Sequence, residues 1–311
     1  MTRLIPALEV GGTHLSVGLV DVDDRRVVET SRRESPLDAS AGSRVLLDQI
    51  ASSILALDAP VDEVLSIAMP GPFDYERGIG RYQGIGKFES LEGVDVGAEL
   101  RARLKYPERE LVFLNDAEAF LLGEWAAGAV SGHERAIALT IGTGIGSAFL
   151  VDGRIVRSGR GVPLDGAVHN VSVQGSPLED VVSRRCIRDA YLALCPGTES
   201  LDVLDIAVVA RSGEASARLV FETIFTTLGE AISSCVHEFA ATVLVVGGGI
   251  SRSWDLVAPP LCKGLMSANA NVTLDVKPAM HLDESALVGA ALYATSAQRF
   301  GPNGRIPAIE G

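Results

Sequence analysis

The sequence predicts a mixed-sheet α/β chain in two halves, and three observations carry that reading. Short buried strands alternate with long helical stretches. Two of the strands turn through a glycine cluster directly into a second strand, which breaks a strict β-α-β rhythm. The strand, glycine turn and helix of the first half then return in the second, without any tandem repeat or low-complexity linker.

In chain order, residues 5–10 form an apolar strand, Gly11-Gly12-Thr13 a turn and residues 15–20 the returning strand, closed by Asp21, Asp23 and Asp24. Residues 43–57 read as an amphipathic helix, because Leu46, Ile50, Ile54 and Leu57 recur at helical spacing on one face. Residues 64–69 form a buried strand ending at Pro70-Gly71-Pro72. Residues 111–114 form another, delivering Asn115 and Asp116 into a helix that runs to about Ala129. The second hairpin joins 136–141 to 147–151 through Gly142-Thr143-Gly144-Ile145-Gly146, with Asp152-Gly153 as a tight turn beyond it. Residues 242–246 are a buried strand, and Gly247-Gly248-Gly249 opens a helix beyond Ser251 or Ser253. Residues 284–300 form an alanine-rich helix, followed by a tail expected to fray.

Composition excludes several classes. The chain has 311 residues, enough for about two domains. Its 47% hydrophobic and 22% charged residues fit a globular protein. The net charge of −13 offers no basic surplus to displace counterions from nucleic acid. Pro6 and Glu9 interrupt the first apolar stretch too early for a signal peptide. The longest helical candidate, 214–240, is broken by Glu222, Glu230 and His237, so no membrane span is expected. Cys186, Cys195, Cys235 and Cys262 form no C-x-x-C pair, which fits reduced thiols and a cytoplasmic location.

Glycine turns after buried strands suit phosphates, because backbone N–H groups can close on an anion where no Cβ intervenes. Gly142-x-Gly144-x-Gly146 is not a dinucleotide fingerprint: the spacing differs, and a strand follows instead of a helix. No G-x-x-x-x-G-K-[ST] segment is present. Each cluster alone fits a plain turn. Together the three turns could surround one cleft, with Thr13, Thr140 and Thr143 as hydroxyl donors. Asp116, between a strand and a helix, reads either as a helix N-cap or as a carboxylate at the cleft edge.

Five motifs in order resemble one family: Leu8-Glu9-Val10-Gly11-Gly12-Thr13, Asn115-Asp116-Ala117-Glu118-Ala119, Ile141-Gly142-Thr143-Gly144-Ile145-Gly146, Val246-Gly247-Gly248-Gly249-Ile250 and Ser285-Ala286-Leu287-Val288-Gly289-Ala290-Ala291. The chain resembles the ROK family (repressors, open reading frames and sugar kinases) from Pro6 to about Ala294. The resemblance implies a two-domain actin-like ATPase (ribonuclease H-like) fold with mixed sheets and an interdomain cleft that closes on its sugar. Residues 1–115 would form the N-terminal domain, 116–294 a larger C-terminal one, and a helix at about 295–311 would pack back on the first. Family repressors carry a helix-turn-helix before the first hairpin. This chain starts on the strand, so a kinase branch is expected.

The resemblance further implies an ATP- and Mg²⁺-dependent kinase acting on a hydroxyl of a hexose-like sugar, glucokinase-like, and a homodimer. Asp116 matches the general base and Asn115 a sugar ligand. Gly11, Gly12, Thr13, Thr143 and Gly144 match the phosphate cradle, Gly248 and Gly249 the adenosine border, and Glu9 the carboxylate near hydrated Mg²⁺, where the family usually has Asp. His169 matches the sugar-contacting histidine. The glutamate three residues before it is Gly166 here, with Asp165 as a stand-in. Glu179 matches a sugar-binding glutamate, although Ser176, Pro177 and Glu179 equally read as the capped start of a helix reaching about Leu194. Gly71 would shape the sugar-side wall or simply form its turn. Lys87 stands where glucokinases carry a sugar-contacting Asn-Leu turn, and reads as a solvated charge or as a contact to a hydroxyl or phosphate.

Residues 170–178 lack every cysteine of the family's zinc segment, so no zinc is expected. That departure keeps a C7-cyclitol of the valiolone or valienone type open as substrate. Gly166 and Glu9 keep a catalytically weak sugar sensor open. An NAD-dependent dehydrogenase would need a helix after Gly146 that the sequence does not offer.

Overall fold

The computed structural model describes residues 3–57, 63–104, 106, 108–197, 201–267 and 273–300, the side chains of 299 and 300 excepted. The chain divides into two compact units, Met1–Gly132 with Asp283–Gly311, and His133–Leu282.

In the first unit, β1 (Leu4–Val10) and β2 (His14–Asp21) form the first hairpin, with Leu4 opposite Asp21 and Val10 opposite Leu15. Short strands β3 (Arg26–Val27) and β4 (Arg33–Pro36) extend β2. Helix α1 (Ser43–Leu55) buries Leu46, Leu47, Ile50, Ala51 and Ile54. It ends two residues before the apolar spacing does, although Leu57 is still buried. Strand β5 (Leu65–Met69) is buried at every position, as a parallel strand covered on both faces must be. A ribbon of β6 (Phe73–Asp74) and β7 (Ile79–Gly80), helix α2 (Val96–Leu104), β8 (Leu111–Asn115) and α3 (Asp116–Ala127) follow. Strands β5 and β8 add in parallel beside β1, giving the order β3-β2-β1-β5-β8.

The C-terminal helix of this unit, Ser285–Phe300, is the last of eight α-helices among the described residues and is labelled α8. Ser66 of β5 donates to the Ala290 carbonyl of α8 at 2.7 Å. Helix α8 also packs along α3: a Cβ on Gly123 would collide with the Ser285 carbonyl, and one on Gly289 with that of Ala119. The two helices meet backbone to backbone at small residues, which is why α3 belongs to the first unit. The boundary therefore falls after residue 132 instead of at 115, and the chain re-enters the first unit at 283 instead of 295. Of the stretch 295–311, residues 301–311 lie outside the described residues. Helix α3 stops at Ala127, short of the expected Ala129, because the fully buried Glu124 turns its carboxylate back to accept from the Ala129 N–H at 2.8 Å.

The second unit repeats the plan. Strand β9 (Arg135–Ile141) pairs antiparallel with β10 (Ile145–Val151). The latter turns through Asp152 (φ 49°) and Gly153 (φ 74°) into β11 (Arg154–Ile155). The ribbon of β12 (Ser172–Val173) and β13 (Ser176–Pro177) precedes helices α4 (Arg184–Leu194), α5 (Val203–Arg211) and α6 (Ala215–Phe239). Then come β14 (Val243–Gly247), α7 (Trp254–Ser267) and β15 (Asp275–Pro278). The order β11-β10-β9-β14-β15 is that of the first sheet. By length and composition α6 could cross a membrane. It lies instead in the core of this unit, with Val220, Phe221, Ile224, Phe225 and Leu228 buried.

Candidate functional site

The predicted site residues fall into two groups, one in each unit. In the first, β1 carries Glu9 just before the Gly11-Gly12-Thr13 turn, which the Gly11 N–H closes onto the His14 carbonyl at 2.9 Å. The next two parallel strands end at Met69 and Asn115, which are register partners. Asn115 is the N-cap of α3: its Oδ1 accepts from the N–H groups of Ala117 at 3.0 Å and Glu118 at 3.2 Å. The cap that Asp116 might have provided is thus taken by its neighbour. Asp116 occupies the first helical position, and its carboxylate accepts from the Ala117 N–H at 2.9 Å.

Burial raises the proton affinity of Asp116 above the usual carboxylate range. The Ala117 N–H and the Lys87 ammonium oppose that rise, and Glu118 adds to it. Burial, followed by the charges of Asp116, Asp283 and Glu34, pushes the Glu9 carboxyl up to about 7, while Arg32 pulls it down. Glu9, Asp116 and Asp283 are therefore electrostatic neighbours. Lys87 is half-buried, and its field reaches Asp116. Gly71 lies against Asn115: a Cβ there would stand 3.3 Å from the Tyr75 hydroxyl and 3.7 Å from Asn115 Nδ2.

In the second unit, Gly142-Thr143-Gly144 turns β9 into β10, with the Gly142 N–H on the Gly144 carbonyl at 3.0 Å. The Gly248-Gly249 turn after β14 adjoins it. Gly248 has φ +79°, and a Cβ on it would collide with the Ile141 carbonyl. Helix α7 begins at Trp254, beyond Ser253 as expected.

Of the two readings of Glu179, the start of a capped helix is not what the structure shows. Ser176 and Pro177 pair with Ser172 and Val173 as a ribbon, and α4 starts at Arg184 with Ser183 as its N-cap. Ribbon pairing outcompetes the capping pattern there. The Glu179 carboxylate instead reaches the glycine turn and accepts from the Ile145 N–H at 3.2 Å.

His169 lies half-buried in the single turn Val168–Asn170, and Asp165 is exposed at φ 55° beside Gly166 at φ 71°. Ser147 of β10 holds this loop: its hydroxyl donates to the Gly166 carbonyl at 2.5 Å and accepts from the Val168 N–H at 3.0 Å. Beyond it, the Leu178 N–H donates to the Val171 carbonyl at 2.8 Å, and the Leu178 side chain is fully buried. Ribbon, hydroxyl and apolar anchor hold the stretch that lacks thiolates. Among the described residues, no three His, Cys, Asp or Glu side chains are grouped to hold a metal ion.

A sequence model of the ROK family matches residues 5–297. The chain belongs to the ROK family. A glucokinase of Thermotoga maritima is 31% identical over 82% of this chain and 84% of its own length. A beta-glucoside kinase of Klebsiella pneumoniae is 28% identical, over 79% of this chain and 82% of its own. Among solved structures, a ROK family glucokinase from Streptomyces griseus, in complex with glucose and AMPPNP, superposes with a TM-score of 0.76. It is 22% identical and covers 93% of this chain and 98% of its own, a likeness of fold. This ROK chain has the actin-like fold that its motifs imply.

Sequence reasoning missed Tyr75 and Asp283 beside the first group. Tyr75 sits in the turn between β6 and β7, with no motif of its own. Asp283 comes from the far end of the chain, and its only sequence signal is its place just before the Ser285–Ala291 motif.

Proposed function

We propose that this ROK chain is an ATP-dependent sugar kinase of the cytoplasm that transfers the γ-phosphoryl group to a hydroxyl of a hexose-like sugar. One observation carries this reading: Asp116, released from capping by Asn115, presents a carboxylate of raised proton affinity at the first turn of α3. Its relatives' names, glucokinase and beta-glucoside kinase, support the reading.

In this mechanism Asp116 accepts the proton of the attacking hydroxyl, and Asn115 orients that hydroxyl. The Gly11-Gly12-Thr13 turn, with Thr143 and Gly144, contributes donors to the phosphates, and Gly248-Gly249 borders the adenosine. His169 and Glu179 contact the sugar, Asp165 replaces the glutamate absent at 166, and Gly71 keeps the wall beside Asn115 thin. Glu9, which feels the charges of Asp116 and Asp283, is a hard oxygen donor suited to a divalent cation held through its water shell. When bound, Mg²⁺ would neutralise charge on the transferring phosphoryl group, with Glu9 holding its waters.

The test is coupled ADP production with Mg·ATP across hexoses, N-acetylhexosamines and C7-cyclitols, with Asp116→Asn alongside. Turnover on one class that collapses in the variant is expected. A sugar that raises the melting temperature without any ADP release overturns the kinase reading in favour of a sensor.

A further inference from the structure

Tyr75 lies between β6 and β7, and the mechanism above leaves it unused. Its hydroxyl takes a hydrogen bond from Asn115 Nδ2 at 3.1 Å and gives one to the Met69 carbonyl at 3.2 Å. Because Met69 and Asn115 end adjacent parallel strands in register, one phenol oxygen ties the two strand ends together. The ring is half-buried against Phe73, with centroids 5.4 Å apart. Phe73 in turn packs on Phe113 at 5.3 Å and Tyr82 at 6.3 Å. The hydroxyl is thus delivered from a packed aromatic group.

An asparagine amide has two orientations that exchange its oxygen and its NH₂. Here both ends are decided. The Ala117 and Glu118 N–H groups require the oxygen. The Tyr75 hydroxyl has given its single proton to Met69, so it can only accept from Asn115. We propose that Tyr75 is a positioning residue for phosphoryl transfer: it sets the Asn115 amide so that its second N–H is held for the acceptor sugar beside Asp116. This rests on the sugar-kinase reading, in which Asn115 is a sugar ligand.

Tyr75→Phe keeps the ring and removes the oxygen. The KM for the sugar rises about fivefold, the loss of one hydrogen bond's worth of order, while the KM for ATP stays unchanged. Asn115→Ser retains a helix-capping hydroxyl but has no NH₂. Adding Tyr75→Phe to it changes the sugar KM by less than about twofold, because the group through which Tyr75 acts is already gone. An unchanged sugar KM in the single variant, a KM for ATP that rises equally, or independent effects in the double variant overturn the proposal. If the wild-type chain turns over no sugar, the kinase reading fails and the kinetic role of Tyr75 with it. The amide contact is then judged separately by the Asn115 side-chain ¹H–¹⁵N signals. Loss of the hydrogen-bonded proton shift in Tyr75→Phe supports the contact, and an unmoved signal overturns it.

Discussion

The Glu179 carboxylate stands where a side chain on residue 144 would have to be: a Cβ on Gly144 would lie 2.7 Å from its Oε2. The same oxygen accepts the Ile145 N–H at 3.2 Å. Gly144 therefore leaves room for the carboxylate that braces the turn. Glu179 links the glycine turn between β9 and β10 to the loop that precedes α4.

Gly144→Ala is accordingly expected to destabilise the chain by about 1–2 kcal/mol, the range of overpacking at a tight contact. Most of that loss should vanish when Glu179→Ala is added, since the clash is with its carboxylate. Urea unfolding of the four proteins measures this. Additive losses would show that the alanine meets something else.

Asp116→Asn should lower kcat by about 10²- to 10⁴-fold, the usual contribution of a positioned base. The melting temperature should hold or rise slightly, because a desolvated carboxylate is replaced by an amide. A variant that keeps a tenth of the activity would remove Asp116 from the chemistry.

Glu9 makes stability depend on pH. Its folded-state pKa of about 7 lies above the ordinary value of 4.5. Between those values the folded state holds a proton that the unfolded state has released, so stability falls as pH rises towards 7. Glu9→Gln removes that slope. The variant should gain on the wild type by roughly 3 kcal/mol between about pH 4.5 and about pH 8 in nucleotide-free protein. A constant difference across that range would count against the shift.

Glu124 ties the end of α3 to the start of α8, accepting from the Ser285 hydroxyl at 2.6 Å and the Ala129 N–H at 2.8 Å. Glu124→Ala removes the acceptor shared by the two helix ends and opens a cavity in its fully buried place, and should cost about 2–4 kcal/mol. Chemical denaturation reads this directly, and a loss below about 0.5 kcal/mol would mean that the contact carries little.

Much of this was legible in the sequence. The glycine turns at 11–13 and 142–144 lie between paired strands, as the hairpin reading requires. The apolar spacing from Leu46 to Ile54 marks the buried face of α1. Alternatives stayed open where two local patterns competed. Ser176-Pro177 carries a helix-start pattern, but pairing with Ser172 and Val173 won. Asn115 and Asp116 are both good caps, and only the observed backbone assigns the role to Asn115.

By itself the sequence determined the alternation of strand and helix, the glycine turns and the family, since these follow from periodicity and from motifs contiguous in the chain. The tertiary structure alone decided that α3 packs on α8, that Glu179 braces residue 145, that Asp283 neighbours Glu9 and that Tyr75 sets Asn115. Each of those joins residues separated in sequence, and neither propensity nor spacing encodes which distant backbone will supply a side chain's partner.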